Sequence, residues 1–296
     1  MTEPTTHTLD VPGAVLTYDL RANDSSAEPV LLMIGSPMGA AGFGTLASYF
    51  SDRTVVTYDP RGVERSKRTD GAVESTPDLH ADDLHRLISA LGALGAGRVG
   101  RVDIFASSGG AVNALALVAG HPEQVRTLVA HEPPAASALP DREAALGAMA
   151  DIHETYLRSG VGSAMVKFFA ILGQKGPIPA DFADQPAPNP ATFGLPTEDD
   201  GSRDDPLLGQ NIVSCTHYEP DFDALRRAST RVVIAAGAES EGELSQRAAV
   251  AVSERLGSAT VTFPGGHGGF LGGEYGQVGA PEAFAAKLRE VLAAEA

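Results

Sequence analysis

Short runs of apolar and β-branched residues, each bounded by turn-forming residues, recur along this chain and limit what it can fold into. They fall at 14–20, 30–34, 54–58, 101–105, 125–130, 231–235 and 259–263. Runs such as Val30-Leu31-Leu32-Met33-Ile34 and Thr54-Val55-Val56-Thr57-Tyr58 lack a polar face, which suits strands covered on both sides. Helical periodicity fills the intervals. Residues 78–94 set Leu79, Leu84, Leu87, Ile88 and Leu91 near a 3.6-residue period, with Asp78 as the expected N-cap. Residues 110–120, 243–256 and 281–292 also read as helices, and Pro281 suits a first turn because its missing N–H has no intrahelical partner there. Strand and helix alternating in this order predict an α/β protein with a mostly parallel, doubly wound sheet.

One segment breaks the alternation. Between 133 and 228 no strand pattern occurs; 141–159 and 161–172 read as helices, and 173–206 is dense in Pro, Gly and Asp. A stretch that long without its own secondary structure is usually functional or mobile. The expected organisation is a core of 1–133 and 229–296 and a helical cap of 134–228, inserted after the core strand at 125–130 and lying over the sheet's C-terminal edge. A chain of 296 residues has room for one large α/β domain with such an insertion, or for two ordinary domains. With 43% hydrophobic and 20% charged residues it can bury a sizeable core.

Charge and cysteine content narrow the partners. A formal charge of -16 repels phosphate backbones and anionic lipid, so nucleic acid and membrane surfaces are not expected partners; the charge reads as a solubility device. A single cysteine, Cys215, excludes an intramolecular disulfide and a cysteine-rich metal site, and suits a reducing compartment. Residues 1–10 are polar, without the basic and apolar regions of a leader, and no run of about 18 apolar residues occurs. The expectation is a soluble, cytoplasmic protein, a monomer or homodimer, with no cofactor and no metal. Abundant Ala, Gly and Arg with few Lys point to a GC-rich bacterial genome.

The strongest chemical signal is Phe105-Ala106-Ser107-Ser108-Gly109-Gly110, directly between a strand and a helix. A nucleophile elbow, usually G-x-S-x-G, needs small residues two before and two after the serine because the turn is sharp and strained. Only Ser108 has them on both sides, in Ala106 and Gly110. Three further segments join it: Ile34-Gly35-Ser36-Pro37-Met38-Gly39, Asp59-Pro60-Arg61-Gly62-Val63-Glu64-Arg65-Ser66 and Phe263-Pro264-Gly265-Gly266-His267-Gly268-Gly269-Phe270. With these, the chain resembles the α/β-hydrolase superfamily from about residue 11 to its C-terminus. The resemblance implies the α/β-hydrolase fold, Ser108 as nucleophile, His267 as general base and 34–39 as the oxyanion loop. It makes Asp59, Arg61, Gly62 and Ser66 a structural turn, in which Glu64 stands where a second glycine is usual.

The acid has two candidate places. The usual one follows the strand at 231–235, where Gly237-Ala238-Glu239-Ser240-Glu241 offers Ser240 at the aligned position and Glu239 and Glu241 beside it. A serine cannot support an imidazolium as a carboxylate does. The other follows the strand at 125–130, in His131-Glu132-Pro133-Pro134. Ser-Ser-Gly at the elbow followed by His-Glu is similar to the fungal zearalenone lactonases, and the Ser108 to Glu132 separation matches. That resemblance implies Glu132 as the acid. The chain lacks tryptophan, which those lactonases use in their caps, so zearalenone is not the expected substrate.

The expected reaction is hydrolysis of a carboxylic ester or lactone of a small hydrophobic molecule through an acyl-enzyme. Gly109 would donate one oxyanion N–H and Ser36 the other, with Met38 as the fallback because Pro37 has none. Two other readings use the same scaffold: a receptor-like ligand binder with little turnover, and an acyltransferase or perhydrolase. Dehalogenase and epoxide-hydrolase relatives place Asp where Ser108 stands. Gly35, Gly39 and Gly42 lack the G-K-[ST] of a phosphate loop, and the spacing of His80, Asp82, Asp83 and His85 does not put both histidines on one helix face. His153, His217 and Tyr218 read as surface or packing residues, and Met165, Phe168, Phe169 and Leu172 as an apolar packing face of the cap.

Overall fold

The computed structural model describes residues 3–72, 74–93 and 100–294. Its strands are β1 (Thr5–Val11), β2 (Ala14–Arg21), β3 (Leu31–Ile34), β4 (Val55–Asp59), β5 (Lys67–Arg68), β6 (Val102–Ser107), β7 (Val125–His131), β8 (Arg231–Gly237) and β9 (Val261–Phe263). They form one sheet ordered β1-β2-β4-β3-β6-β7-β8-β9, with β5 on β2. The pairs from β4 to β9 are parallel, and β1, β2 and β5 add antiparallel pairings at one edge. Sequence periodicity did not reveal β1, in which only Leu9 and Val11 are aliphatic. It is an edge strand with one partner, so it needs no continuous apolar run.

The helices are α1 (Gly44–Ser48), α2 (Pro77–Ala93), α3 (Gly109–Gly120), α4 (Arg142–Gly173), α5 (Ile212–His217), α6 (Phe222–Arg227), α7 (Leu244–Leu256) and α8 (Pro281–Ala293). Alternate residues of each central strand face opposite layers. Leu32, Ile34, Ile104, Ala106, Leu128 and Ala130 pack with α2, α3, α6 and α7, whereas Leu31, Met33, Phe105 and Val129 pack with α1 and α8. The N-cap of α2 is Thr76, whose hydroxyl accepts from the Leu79 N–H at 3.2 Å. Asp78 instead sits inside the first turn, where an anion also favours the helix dipole. Leu94, expected at the end of this helix, and the outermost residues of the chain lie outside the described residues.

Between β7 and β8 the described residues contain helices and no strand. α4 is two helices meeting at Gly160, whose φ of 80° breaks the spiral where the sequence pattern also changes helix. A π-helical turn at Leu207–Asn211 leads into α5. Periodicity did not show these pieces, because each is too short to display a face. Met149, Ile152, Tyr156, Leu208 and Ile212 form their own apolar cluster and rest on Leu244 and Ala248 of α7. No helix among the described residues is long and apolar enough to cross a membrane.

The turn after β4 braces the loop after β3. Asp59 Oδ1 accepts from the Ala40 N–H at 2.8 Å, and Asp59 Oδ2 takes Arg65 Nε at 2.6 Å. The Ser66 hydroxyl donates to the Asp59 carbonyl at 2.6 Å and accepts from the Thr17 N–H at 2.8 Å. Arg61, fully buried, forks onto Asp83 of α2 at 2.8 and 2.6 Å. Removing one member of such a pair strands the other charge out of water. Asp83→Ala should therefore lose about 3–5 kcal/mol of stability in urea unfolding; a loss under about 1 kcal/mol would show that Arg61 finds another partner or water.

Candidate active site

The end of β6 and the start of α3 form a sharp elbow. Ser108 occupies it with φ 56° and ψ −131°, a costly conformation for a residue with a Cβ. Its N–H is held by the His131 carbonyl at 3.0 Å. Small neighbours are obligatory here: a Cβ on Gly110 would lie 2.7 Å from the Gly35 Cα, and one on Gly109 would lie 2.5 Å from the Ser36 carbonyl oxygen. Ser107 ends β6, fully buried, so the turn itself belongs to Ser108. Gly109 is the first residue of α3, a position whose N–H has no acceptor within the helix.

Glu132 follows β7 with φ 48°, a second strained position. Its carboxylate is fully buried and fully engaged. Oε1 accepts from the Gly237 N–H at 2.8 Å; Oε2 accepts from the Ser245 hydroxyl at 3.1 Å and from His267 Nδ1 at 2.6 Å. Burial pushes its pKa up, but the hydrogen bond to His267, the neighbouring imidazoles and the Gly237 N–H outweigh it and bring the pKa down to about 2. Ser245 lies in the first turn of α7, whose dipole also favours an anion. Sequence pattern did not single it out, since a serine in a first helical turn is common.

His267 sits on the loop after β9, its side chain less than half exposed. That loop is drawn close to β8 because Gly237 has no Cβ; one there would lie 2.6 Å from the Gly265 carbonyl oxygen. Glu239 and Glu241 are exposed, and among the described residues neither bonds to His267. Ser240 is buried, 3.5 Å from where a Gly266 Cβ would stand. The geometry joins His267 to Glu132.

Ser108, His267, Ser36 and Gly109 line one cavity of about 450 Å³. Apolar side chains of Met149, Phe168, Ile171, Leu172, Leu207 and Leu244 also line it. Among the described residues the Ser108 hydroxyl makes no hydrogen bond, and nucleophile–base contacts often tighten only when substrate binds. The face at 165–172 divides: Phe168 and Leu172 line the cavity, Met165 packs among the helices, and the exposed Phe169 lies 6.2 Å from the Phe193 ring. Met38 packs its side chain against the apolar layer of α1 and α8. A larger, open groove of about 960 Å³ at 137–144 holds none of these groups.

Other polar residues have separate partners. Asp82 pairs with Arg86, Asp83 with Arg61 and His85 with Gln124, while His80 is buried. His153 meets the Leu208 carbonyl, His217 the Val213 carbonyl, and Tyr218 donates to Asp78. Cys215, buried against the cavity, has its thiol pushed up to about 12 by burial.

Elbow, histidine loop and parallel sheet together define a recognisable class, and comparison with known proteins agrees. Residues 28–164 match the family model of the alpha/beta hydrolase fold. Over 268 residues the chain is 31% identical to the uncharacterized hydrolase YraK of Bacillus subtilis (strain 168), covering 89% of each. The chain belongs to the α/β-hydrolase family. Solved structures share its fold at low identity. The enol-lactonase of Burkholderia xenovorans LB400 has a TM-score of 0.62 at 14% identity, covering 97% of this chain and 100% of that one. A thermophilic esterase of Thermogutta terrifontis has a TM-score of 0.63 at 19% identity, covering 98% of each chain.

His131 is fully buried against Phe105, Phe263, Phe270 and Phe284, and among the described residues neither of its ring nitrogens has a hydrogen-bond partner. Burial lowers its pKa to about 4, so the folded protein holds it neutral. Its unfolded counterpart takes up a proton below about pH 6.5. Stability from this residue is therefore complete above pH 6.5 and declines as pH falls through 4. His131→Phe should flatten the stability profile by about 3 kcal/mol over that window, measured by urea unfolding at several pH values; parallel profiles would contradict a buried neutral imidazole.

Proposed function

We propose that this α/β-hydrolase cleaves a carboxylic ester or lactone of a small hydrophobic molecule through a Ser108 acyl-enzyme. The observation that carries the reading is the 2.6 Å contact between His267 Nδ1 and the buried Glu132 carboxylate, beside a strained serine on the same cavity. With Nδ1–H donated to Glu132, Nε2 is left as the basic nitrogen. Nε2 takes the Ser108 proton as Oγ attacks the carbonyl carbon, and Glu132 stabilises the imidazolium that forms. The tetrahedral oxyanion is met by the Gly109 and Ser36 N–H groups. Losing one such donor typically costs about 100- to 1000-fold in rate. The imidazolium then protonates the leaving alkoxide, and water, deprotonated by the same nitrogen, releases the acid.

Two features of the site support hydrolysis over ligand binding alone. A pure binder has no use for a serine held at positive φ, nor for a carboxylate buried to serve one imidazole. The apolar walls suit a hydrophobic acyl or alcohol group, and the similar folds include proteins described as an esterase and an enol-lactonase.

In an ester panel, Ser108→Ala should abolish turnover and Glu132→Gln should lower kcat by about 10⁴. Glu239→Gln and Glu241→Gln should stay near the parent. Loss in either of those two, with Glu132→Gln active, would move the acid to the loop after β8. With straight-chain esters, kcat/KM should rise by up to about fourfold per added methylene until the acyl chain fills the cavity; a flat or falling series would exclude the apolar wall as the acyl site.

A further inference from the structure

Among the described residues, one hydrogen bond joins the segment between β7 and β8 to the loop after β3, that of Ser36 with Asn211. Asn211 ends the π-helical turn at Leu207–Asn211 and is buried, 6% exposed. Its Nδ2 donates to the Pro206 carbonyl at 2.9 Å, and its backbone N–H donates to the same carbonyl at 3.0 Å. This double anchor decides which end of the amide faces the core, because only nitrogen can donate to a carbonyl. Oδ1 is thereby turned toward the loop after β3, where it accepts from the Ser36 hydroxyl at 2.8 Å and from the Cys215 thiol at 3.3 Å.

All three groups converge on the residue after the nucleophile. A Cβ on Gly109 would stand 2.5 Å from the Ser36 carbonyl oxygen, 3.0 Å from Cys215 Sγ and 3.3 Å from Asn211 Oδ1. The polar knot thus lies against the backbone that presents one oxyanion donor and is bonded to the residue that presents the other. Ser36 and Asn211 are 3% and 6% exposed, so water does not readily replace their bond. Insertion of a π turn is a recurrent device at functional sites, since it rotates one side chain out of the helical register.

We infer that Asn211 is a positioning residue for the oxyanion hole: through the Ser36 hydroxyl it holds the loop after β3 in register with Gly109, and it ties that register to the helical segment above the cavity. The inference rests on the serine-hydrolase reading of the site. Asn211 touches no reacting atom. Its effect belongs to the transition state, where the two N–H groups must meet the oxyanion together, and not to the packing of substrate.

The test is the rate at which a fluorophosphonate modifies Ser108. In that reaction the Ser108 Oγ–P bond forms, the P–F bond breaks, fluoride leaves and the serine proton passes to His267. The phosphoryl oxygen gathers charge in the oxyanion hole. Rates would be measured on the full chain for the parent, Ser36→Ala, Asn211→Ala and the double variant, each checked by thermal unfolding. The expected result is a loss of about tenfold or more in each single variant, with the double variant no slower than the worse single. Parent-like rates for Asn211→Ala, or losses that multiply in the double variant, overturn the inference while leaving the hydrolase reading intact. Should Asn211→Ala fail to fold, Ser36→Ala alone decides, because it removes the same bond from the other side; a parent-like rate there overturns the inference. A parent enzyme that is not labelled overturns the hydrolase reading and this inference with it.

Discussion

A carboxylate withdrawn from water at the end of the sheet is tolerable only when every lone pair that matters is met, and the centre of this protein is arranged to meet those of Glu132. One oxygen takes a backbone N–H from Gly237; the other takes the Ser245 hydroxyl and His267. An ionised group buried without such partners costs several kcal/mol. The partners come from β8, α7 and the loop after β9, so those elements must converge for the charge to be stable. The requirement that stabilises the carboxylate also aims the imidazole at the cavity.

Close backbone approach makes that convergence possible. Gly237 lets the histidine loop lie against β8, Gly110 lets α3 start against Gly35, and Gly109 admits Ser36 and Asn211. Each is a place where a Cβ would meet backbone or a fixed polar group, which a flexible side chain could not relieve. Asp59 adds an electrostatic brace by holding Ala40 and Arg65, so the loop after β3 is gripped both from the sheet and, through Asn211, from the helical segment. The apolar walls then decide what can sit between the two grips.

Much of this was legible in the residues. Buried parallel strands announced themselves as apolar runs, and the elbow at Ser108 and the glycine-rich loop at His267 carried spacings that few other structures need. Glu132 became a candidate through the resemblance to the fungal zearalenone lactonases, with Ser240 standing at the more usual acid position, and the fold brings it to His267. What stayed hidden depends on contacts distant in sequence. β1 is an edge strand with only two aliphatic residues, too few to mark it in the sequence. Thr76 caps α2 in place of Asp78, a difference of two residues that the run Thr76-Pro77-Asp78 leaves open. Ser245 and Asn211 are ordinary polar residues until the fold brings them to Glu132 and Ser36, more than a hundred residues away along the chain.

Glu132 holds the imidazole of His267 through Nδ1, and proton NMR examines that bond without any substrate. The His267 Nδ1–H, shared with a buried carboxylate at 2.6 Å, should give a far-downfield proton resonance. That signal should disappear in Glu132→Gln and persist in Glu239→Gln and Glu241→Gln. A downfield resonance that survives Glu132→Gln, or vanishes with either loop variant, would contradict the central claim.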